Sequence, residues 1–479
     1  MQGKKTYSPK LFTSFSLLDR IAEDNFYRRL KEKLDLSFLY KLTAPYYGNC
    51  GQKGIDPVVF FKLLLVGYLE NLCSDRKIIE MCKLRLDILY FIDHDIDDEL
   101  PWHSTLSRTR QRIPETVFQQ VFAKILQLCI DKGMVRAKVV AVDSALIKAN
   151  ASIDNIEVKN PLLTSEAYLE QLQANAAELP DKKSSGHSKS NATKYSPADP
   201  EARMATKPGK GVKFSYLSQV AVDASHHVIV HAEAFSADKK DSQCLREVVD
   251  QVEAKLSESD RKMQTLLADT NYSSGENYQY LEDKEIDGFI PLHGQIKLER
   301  EGFTYDEQTD CYICRNNKVL TYRGNKQRAH GVEKRYSSST ADCTNCPFKA
   351  VCIGKEKYKT LMHSVHRNLY EKMQAKVGSR RGQILKKLRS STVEPVLGSL
   401  IDYYGLRKID VKGRMGASKV TVLAAAAYNL KKYLKFIGKL RPIAFAASMK
   451  KAYKQPRLVC EVIYRLFFHQ LFGSSIKIN

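Results

Sequence analysis

The feature that most constrains this chain is a pair of short apolar runs that each lead into an aspartate. Lys138-Val-Val-Ala-Val-Asp143 and Thr265-Leu-Leu-Ala-Asp269 both read as strands in the interior of a sheet. A single strand-end aspartate is commonly a turn former. Two of them are harder to dismiss, because a carboxylate beside a buried strand is costly unless a cation pairs with it. A divalent metal is the economical partner. Two carboxylates on adjacent strands and a third from a helix can hold two Mg²⁺ ions, which activate an attacking oxygen and stabilise the leaving oxygen of a phosphodiester. The third acid should come from far along the chain. Glu394, in Thr392-Val-Glu394-Pro, follows residues 361–390, which carry eight Lys/Arg and only Glu371 as an acid.

The order of elements around these acids gives the fold class, α/β. The first 135 residues read as helical. Asp56 and Pro57 mark a helix start, with Val58, Phe61, Leu65 and Tyr68 at helical spacing, and Val117 to Ile130 forms a second run. Between them, Arg108, Arg110 and Arg112 suit either phosphate contact or a solvated basic face. After Asp143 comes a stretch (155–210) that interrupts the fold, with an amphipathic segment from Leu162 to Leu179 and a polar one from Lys182. An antiparallel pair is expected over Tyr216–Val222 and Val228–Ala232, with His226, His227 and His231 at turn and surface positions. A helix is expected from Asp241 to Leu256. Residues 295–360 read as loop-like and Cys-rich, and helical periodicity resumes to about 390 and again from Lys419 to Lys435.

Charge narrows the partner. Among 479 residues, Lys+Arg is 76 and Asp+Glu is 54, so the net charge is +22. Such an excess favours a polyanion, either nucleic acid or an anionic membrane surface. No run approaches the roughly 20 apolar residues of a spanning helix, and the first residues, MQGKKTYSPKLF, lack the apolar core of a secretory signal. Nucleic acid is therefore the expected partner, with no membrane. Residues 421–455 hold eight Lys/Arg and no acid, including Lys431 and Lys432. On a helix these suit phosphate contacts, which position DNA without reading its sequence. No Walker-type glycine loop is present, so ATP is not implied.

The eleven cysteines do not form a disulfide scaffold and suit a reducing cytoplasm. Cys311-x₂-Cys314 and Cys343-x₂-Cys346, with Cys352 beyond, have spacings compatible with structural Zn²⁺. The other reading is a reduced insertion packed without metal. Tyr305, Tyr312, Tyr322 and Tyr336, interleaved with Lys and Arg, suit contact with a DNA backbone. Cys50, Cys73, Cys82, Cys129, Cys244 and Cys460 are expected to be buried apolar residues.

Five segments together resemble a known family. They are Ala141-Val-Asp143-Ser-Ala-Leu-Ile-Lys-Ala-Asn, Leu267-Ala-Asp269-Thr-Asn-Tyr-Ser-Ser-Gly-Glu-Asn, Thr392-Val-Glu394-Pro-Val-Leu-Gly, Lys412-Gly-Arg-Met-Gly-Ala-Ser-Lys-Val and Ala426-Ala-Tyr-Asn429-Leu-Lys-Lys. Over about residues 10–440 the chain is similar to bacterial insertion-sequence transposases of the DDE type, including Asp199-Pro-Glu-Ala-Arg203. The resemblance implies an RNase H-like mixed-sheet core with an all-helical N-terminal domain and a Cys-rich insertion. The expected boundaries are 1–135 (helical, DNA-binding), 136–294 (core), 295–360 (insertion), 361–440 (core helices) and 441–479 (tail).

The same resemblance makes Asp143, Asp269 and Glu394 the Mg²⁺- or Mn²⁺-binding triad, with Asp143 shared between both ions. It implies strand cleavage by water at the ends of the element in double-stranded DNA, then attack of the freed 3′-OH on target DNA, by a homodimer in the bacterial cytoplasm at the nucleoid. This copy departs from the family pattern after Glu394. Ile401 stands where a phosphate-binding Lys is usual, which passes that task to Arg389, Lys408 or Lys412. Pro395 suggests that Glu394 opens a helix. A catalytically impaired DNA-binding derivative and a nuclease that cuts without strand transfer are the alternatives.

Overall fold

The computed structural model describes residues 14–48, 50–158, 186–206, 209, 211–294, 296–328 and 331–453, without side chains at 186–189 and 439–453. The expected amphipathic stretch from Leu162 to Leu179, the first residues of the polar segment, Cys460 and the tail beyond 453 lie outside these residues. Among the described residues no helix is long and apolar enough to cross a membrane.

Helices fill the N-terminal part. Asp56 caps Pro57–Leu69 by accepting from the backbone of Val58 and Val59, which satisfies two of the otherwise orphaned N–H groups. Pro57–Leu69 is buried along most of its length, and Glu115–Asp131 buries Val117, Val121, Ile125 and Cys129 on one face. Arg110 is not a free phosphate contact. It lies on His103–Arg112 with its fork closed on Asp75 at 2.6 and 3.0 Å. Arg112 stacks over the Tyr47 ring at 4.7 Å.

The central sheet starts with β1 (Val139–Lys148). Two minor strands, β2 (Glu157–Val158) and β3 (Lys194–Tyr195), pair with each other. They are followed by β4 (Arg203–Ala205), β5 (Lys213–Asp223), β6 (Val228–Ser236), β7 (Thr265–Leu267) and β8 (Asp287–Phe289). β6, β5 and β1 are antiparallel neighbours, and β7 and β8 then add parallel to β1. β4 takes up the outer edge of β5 ahead of the segment that pairs with β6. His231, expected near the surface, is buried in β6.

Helix Gly413–Tyr453 lies against β6, Glu115–Asp131 and Pro57–Leu69, and draws the N-terminal helices and the sheet into one hydrophobic core. Its start explains the Asp199-Pro-Glu-Ala-Arg203 segment. Asp199 accepts from the Gly413 N–H at 3.1 Å and Glu201 from the Arg414 N–H at 2.6 Å. Negative side chains there satisfy unpaired donors and complement the helix dipole. Gly413 has φ +78°, which favours glycine at this turn.

Residues 295–360 are not loop-like. β9 (Phe303–Asp306), β10 (Cys311–Cys314), β11 (Val319–Arg328), β12 (Gly331–Ser337) and β13 (Thr360–Ser364) form a five-stranded antiparallel sheet. Its small core is Tyr312, Leu320 and Tyr336, with Phe303, Tyr305 and Leu361 packed against them. Those tyrosines hold the insertion together; only Tyr322 is exposed.

The expected zinc cluster does not form. Among the described residues no three His, Cys, Asp or Glu side chains stand close enough together to hold a metal ion. Cys311 Sγ lies 3.0 Å from Thr309 Oγ1 and Cys343 Sγ 3.1 Å from Ser338 Oγ, and Cys314 and Cys346 are also free thiols. An aromatic core does the work that thiolate ligation was expected to do. Cys82, Cys129 and Cys244 are buried as expected, but Cys50 and Cys73 are exposed.

Candidate active site

Strand register sets the site. β1 and β7 run parallel with Ala141 opposite Leu267. Two residues beyond that pair stand Asp143, still within β1, and Asp269, just past the end of β7, and both line one cleft. β1 does not end at Asp143 as its sequence suggested. It continues to Lys148 against β5, whereas β7 stops at Leu267. A crevice therefore opens beside Asp143 where the parallel neighbour leaves off, at the change from antiparallel to parallel pairing.

Asp143 Oδ1 accepts from the Ser144 N–H at 2.8 Å. Its pKa is held up by burial, opposed by that backbone bond and by the Arg389 guanidinium. Asp269 caps the short turn Thr270–Tyr272, accepting from the Asn271 N–H at 2.9 Å and from Asn271 Nδ2 at 3.1 Å. Burial, then the Asp143 charge, push its pKa up to about 6. A carboxylate whose ionisation is hindered by burial and by a neighbouring carboxylate marks a place suited to a cation.

Glu394 comes from helix Arg380–Tyr403, which packs on β1 and β5. It does not open this helix: Pro395 sits inside it. The missing proline N–H removes one helical bond. Burial of Thr392, Val393, Val396, Leu397 and Leu400 nevertheless keeps the helix on the sheet. Arg389, on the same helix, joins the acids. Its Nη1 donates to Asp143 Oδ2 and its Nη2 to Glu394 Oε1, both at 2.9 Å.

Asp143, Asp269, Glu394, Arg389 and Ile401 all line one cleft of about 1510 Å³. Sequence reasoning missed a fourth acid in it, Asp241, the first residue of helix Asp241–Ser257. Gln219 of β5 donates to Asp241 Oδ1 at 2.7 Å and accepts from the buried Tyr272 hydroxyl. Gln219 thus ties Asp241 to the turn that carries Asp269. The available signal was an acid opening a helix directly after a hairpin.

Lys408, Lys412, Lys431 and Lys432 do not line the cleft. Lys408 and Lys412 are exposed near the end of β1, where Lys408 forms a backbone bridge with Lys148. Lys431 lies over the Tyr404 ring at 6.0 Å, and Lys432 donates to the His226 carbonyl at 3.2 Å. Besides Arg389, other cations line the cleft, among them Lys239 and Arg246 beside and on helix Asp241–Ser257, and Lys297 and Arg300 early in residues 295–360.

The acids offer only oxygen donors, the hard set that Mg²⁺ and Mn²⁺ prefer. Asp143 lies near enough to Asp269 for its charge to raise that pKa, but no three acids among the described residues stand close enough together to hold a metal ion, and Glu394 reaches Asp143 only through Arg389.

A mixed sheet of this order, with carboxylates at the crevice beside its central strand and on a following helix, defines an RNase H-like phosphoryl-transfer fold. Two family models match the chain: a transposase domain (DUF772) over residues 15–112 and a transposase DDE domain over residues 313–434. The second contains Arg389 and Glu394. The chain therefore carries two transposase domains, the second of the DDE type, a class of DNA transposase that depends on divalent metal.

No curated protein matches the chain significantly. Among solved structures it is similar to a piggyBac transposase synaptic complex with hairpin DNA, at TM-score 0.31 and 10% identity over 95% of this chain and 85% of that one. It is also similar to Mos1 mariner paired-end complexes, one with Mn at TM-score 0.16 and 11% identity, and one with Mg at 0.15 and 12%. Each covers 52% of this chain and 64% of that one. Scores this low do not bear on the fold; the sheet order and the family models do.

Proposed function

We propose that Asp143, Asp269 and Glu394 are the metal-binding carboxylates with which this transposase cuts and joins DNA at the ends of an insertion sequence. The observation that carries the reading is the meeting of Asp143, Asp269 and Glu394 in one cleft, where the Asp143 charge raises the Asp269 pKa and one guanidinium ties Glu394 to Asp143. Bound Mg²⁺ or Mn²⁺ would supply Lewis acidity toward the attacking and leaving oxygens.

The protein's own groups supply the rest. Asp143 and Asp269 are held by backbone N–H groups, and Gln219 and Tyr272 brace the floor. Lys239, Arg246, Lys297 and Arg300 line the cleft, where they would hold phosphates beside the reacting one. In the first step water adds to phosphorus and the P–O3′ bond breaks; one water proton goes to the departing O3′, which becomes the 3′-OH, and the other is shed from the new 5′-phosphate to solvent. In the second the new 3′-OH attacks a target phosphodiester, one P–O bond forming as another breaks. Pairing two element ends in clefts of this kind calls for a homodimer on DNA.

The test is cleavage and joining of DNA that carries the element's ends, with Mg²⁺ or Mn²⁺. Asp143→Asn should abolish both while leaving DNA binding nearly intact. Undiminished cleavage by the variant would place the metal site elsewhere. Cleavage without joining by the unaltered protein would leave a nuclease.

A further inference from the structure

Arg389 is the one cation in direct contact with the proposed carboxylates among the described residues. Its two terminal nitrogens serve acids from different elements, Asp143 on β1 and Glu394 on helix Arg380–Tyr403. The Arg389 and Asp143 side chains are 16% and 18% exposed, so the guanidinium is seated inside the cleft and is not lying on its rim. Glu394, at 55%, faces the open side, from which DNA and ions must enter. A planar guanidinium forks onto a phosphate as readily as onto carboxylates. Arg389 therefore stands between the groups that would hold a metal and the space that would hold a phosphate, and it can serve either.

We propose that Arg389 exchanges partners during the reaction. In the free enzyme it clamps Asp143 and Glu394 and competes with divalent ions for their oxygens. With DNA in the cleft it turns to a phosphate oxygen, and the two carboxylates become available to metal. The inference rests on the carboxylate assignment above. Its consequence is a coupling: DNA tightens divalent-ion binding, and by reciprocity the ion tightens DNA binding. Ions would then be held firmly only with substrate present, which limits idle metal-dependent hydrolysis. Lysine would do this less well, because its ammonium lacks the planar fork that fixes two donors in one geometry.

The experiment is Mn²⁺ titration of the full chain, followed by electron paramagnetic resonance, with and without a short duplex of arbitrary sequence at low salt. For the unaltered protein the duplex should tighten Mn²⁺ binding about tenfold, within the usual range of coupling between sites. Arg389→Gln should bind Mn²⁺ about tenfold more tightly than the unaltered protein without DNA, and respond little to the duplex. Arg389→Lys, which keeps a charge without the fork, should fall between them. Circular dichroism would verify that both variants are folded. If Arg389→Gln is folded and binds Mn²⁺ no more tightly without DNA, the exchange is wrong. Asp143→Asn separates this failure from that of the wider reading. Loss of Mn²⁺ binding in Asp143→Asn alongside an unaltered Arg389→Gln refutes only the exchange. Retention in Asp143→Asn refutes the carboxylate site itself.

Discussion

Asp269 gives the sharpest electrostatic expectation. Its raised pKa, about 6, follows from burial first and the Asp143 charge second, with Asp241 adding in the same direction. A carboxyl whose folded pKa lies above its unfolded value stabilises the fold at low pH. That contribution is lost as pH rises through about 6. Ligation needs the ionised form, so Mn²⁺ affinity should drop as pH falls through the same range. Titrations at several pH values give the midpoint. Asp241→Asn removes a like charge and should move that midpoint downward. An unchanged midpoint would mean that Asp241 does not act on Asp269. At this scale the sequence singled out Asp143, Asp269 and Glu394 one by one. It could not show that Arg389 would sit between two of them, since that pairing joins residues 246 positions apart.

Helices and strands carry their own expectations. Helix Asp241–Ser257 buries Lys255 against β6 and helix Glu115–Asp131. There its ammonium meets His231 Nδ1 at 2.9 Å and Gln119 Oε1 at 3.1 Å, with Glu233 and Glu258 as the charges that favour it. Burial outweighs these and brings the pKa down to about 8. A lysine with a depressed folded pKa lowers stability most below that value. Stability should therefore rise with pH between about 8 and about 10.4, where the unfolded chain still holds the proton. Lys255→Met should flatten this rise and stabilise the protein at neutral pH by on the order of 2 kcal/mol, read from denaturant melts across pH.

The insertion sheet offers a second test at this scale. Tyr336 is buried and donates to Asp310 at 2.6 Å. Tyr336→Ala should cost about 3–5 kcal/mol locally and make residues 295–360 sensitive to protease. Cys343→Ser with Cys346→Ser should leave them resistant, since the sulfurs do not converge on a metal. The strands of this insertion were hidden because their apolar positions are mostly tyrosines set among lysines and arginines. An alternation of Phe303 with Tyr305, and of Leu320 with Tyr322, reads as polar by composition although it has a period of two.

For the whole molecule, the net charge of +22 matters less than where it faces. DNA affinity should fall linearly with the logarithm of salt, with a slope of about −0.9 per neutralised phosphate. Lys239→Ala with Lys297→Ala, both lining the cleft, should reduce that slope by about two. Lys431→Ala, on the helix that packs behind β6, should leave it unchanged. Fluorescence anisotropy of a labelled duplex across a salt series measures both. Equal slopes in all three proteins would take the DNA path out of the cleft.

The sequence by itself determined the helical N-terminal region, the hairpin, the two aspartate-bearing strands, the basic character and the family. Each of these depends on local pattern: apolar period, cap residues, β-branched runs and charge counts. The tertiary structure alone decided which cations face the acids, that the cysteines stay apart, that Glu394 lies mid-helix, and that Asp241 joins the cleft through Gln219. Those outcomes depend on strand register and on the packing of helix Arg380–Tyr403 against β1. A shift of one residue in either would turn Asp143 or Glu394 away. No stretch of sequence encodes that register locally, because it is fixed by the shared burial of segments far apart in the chain.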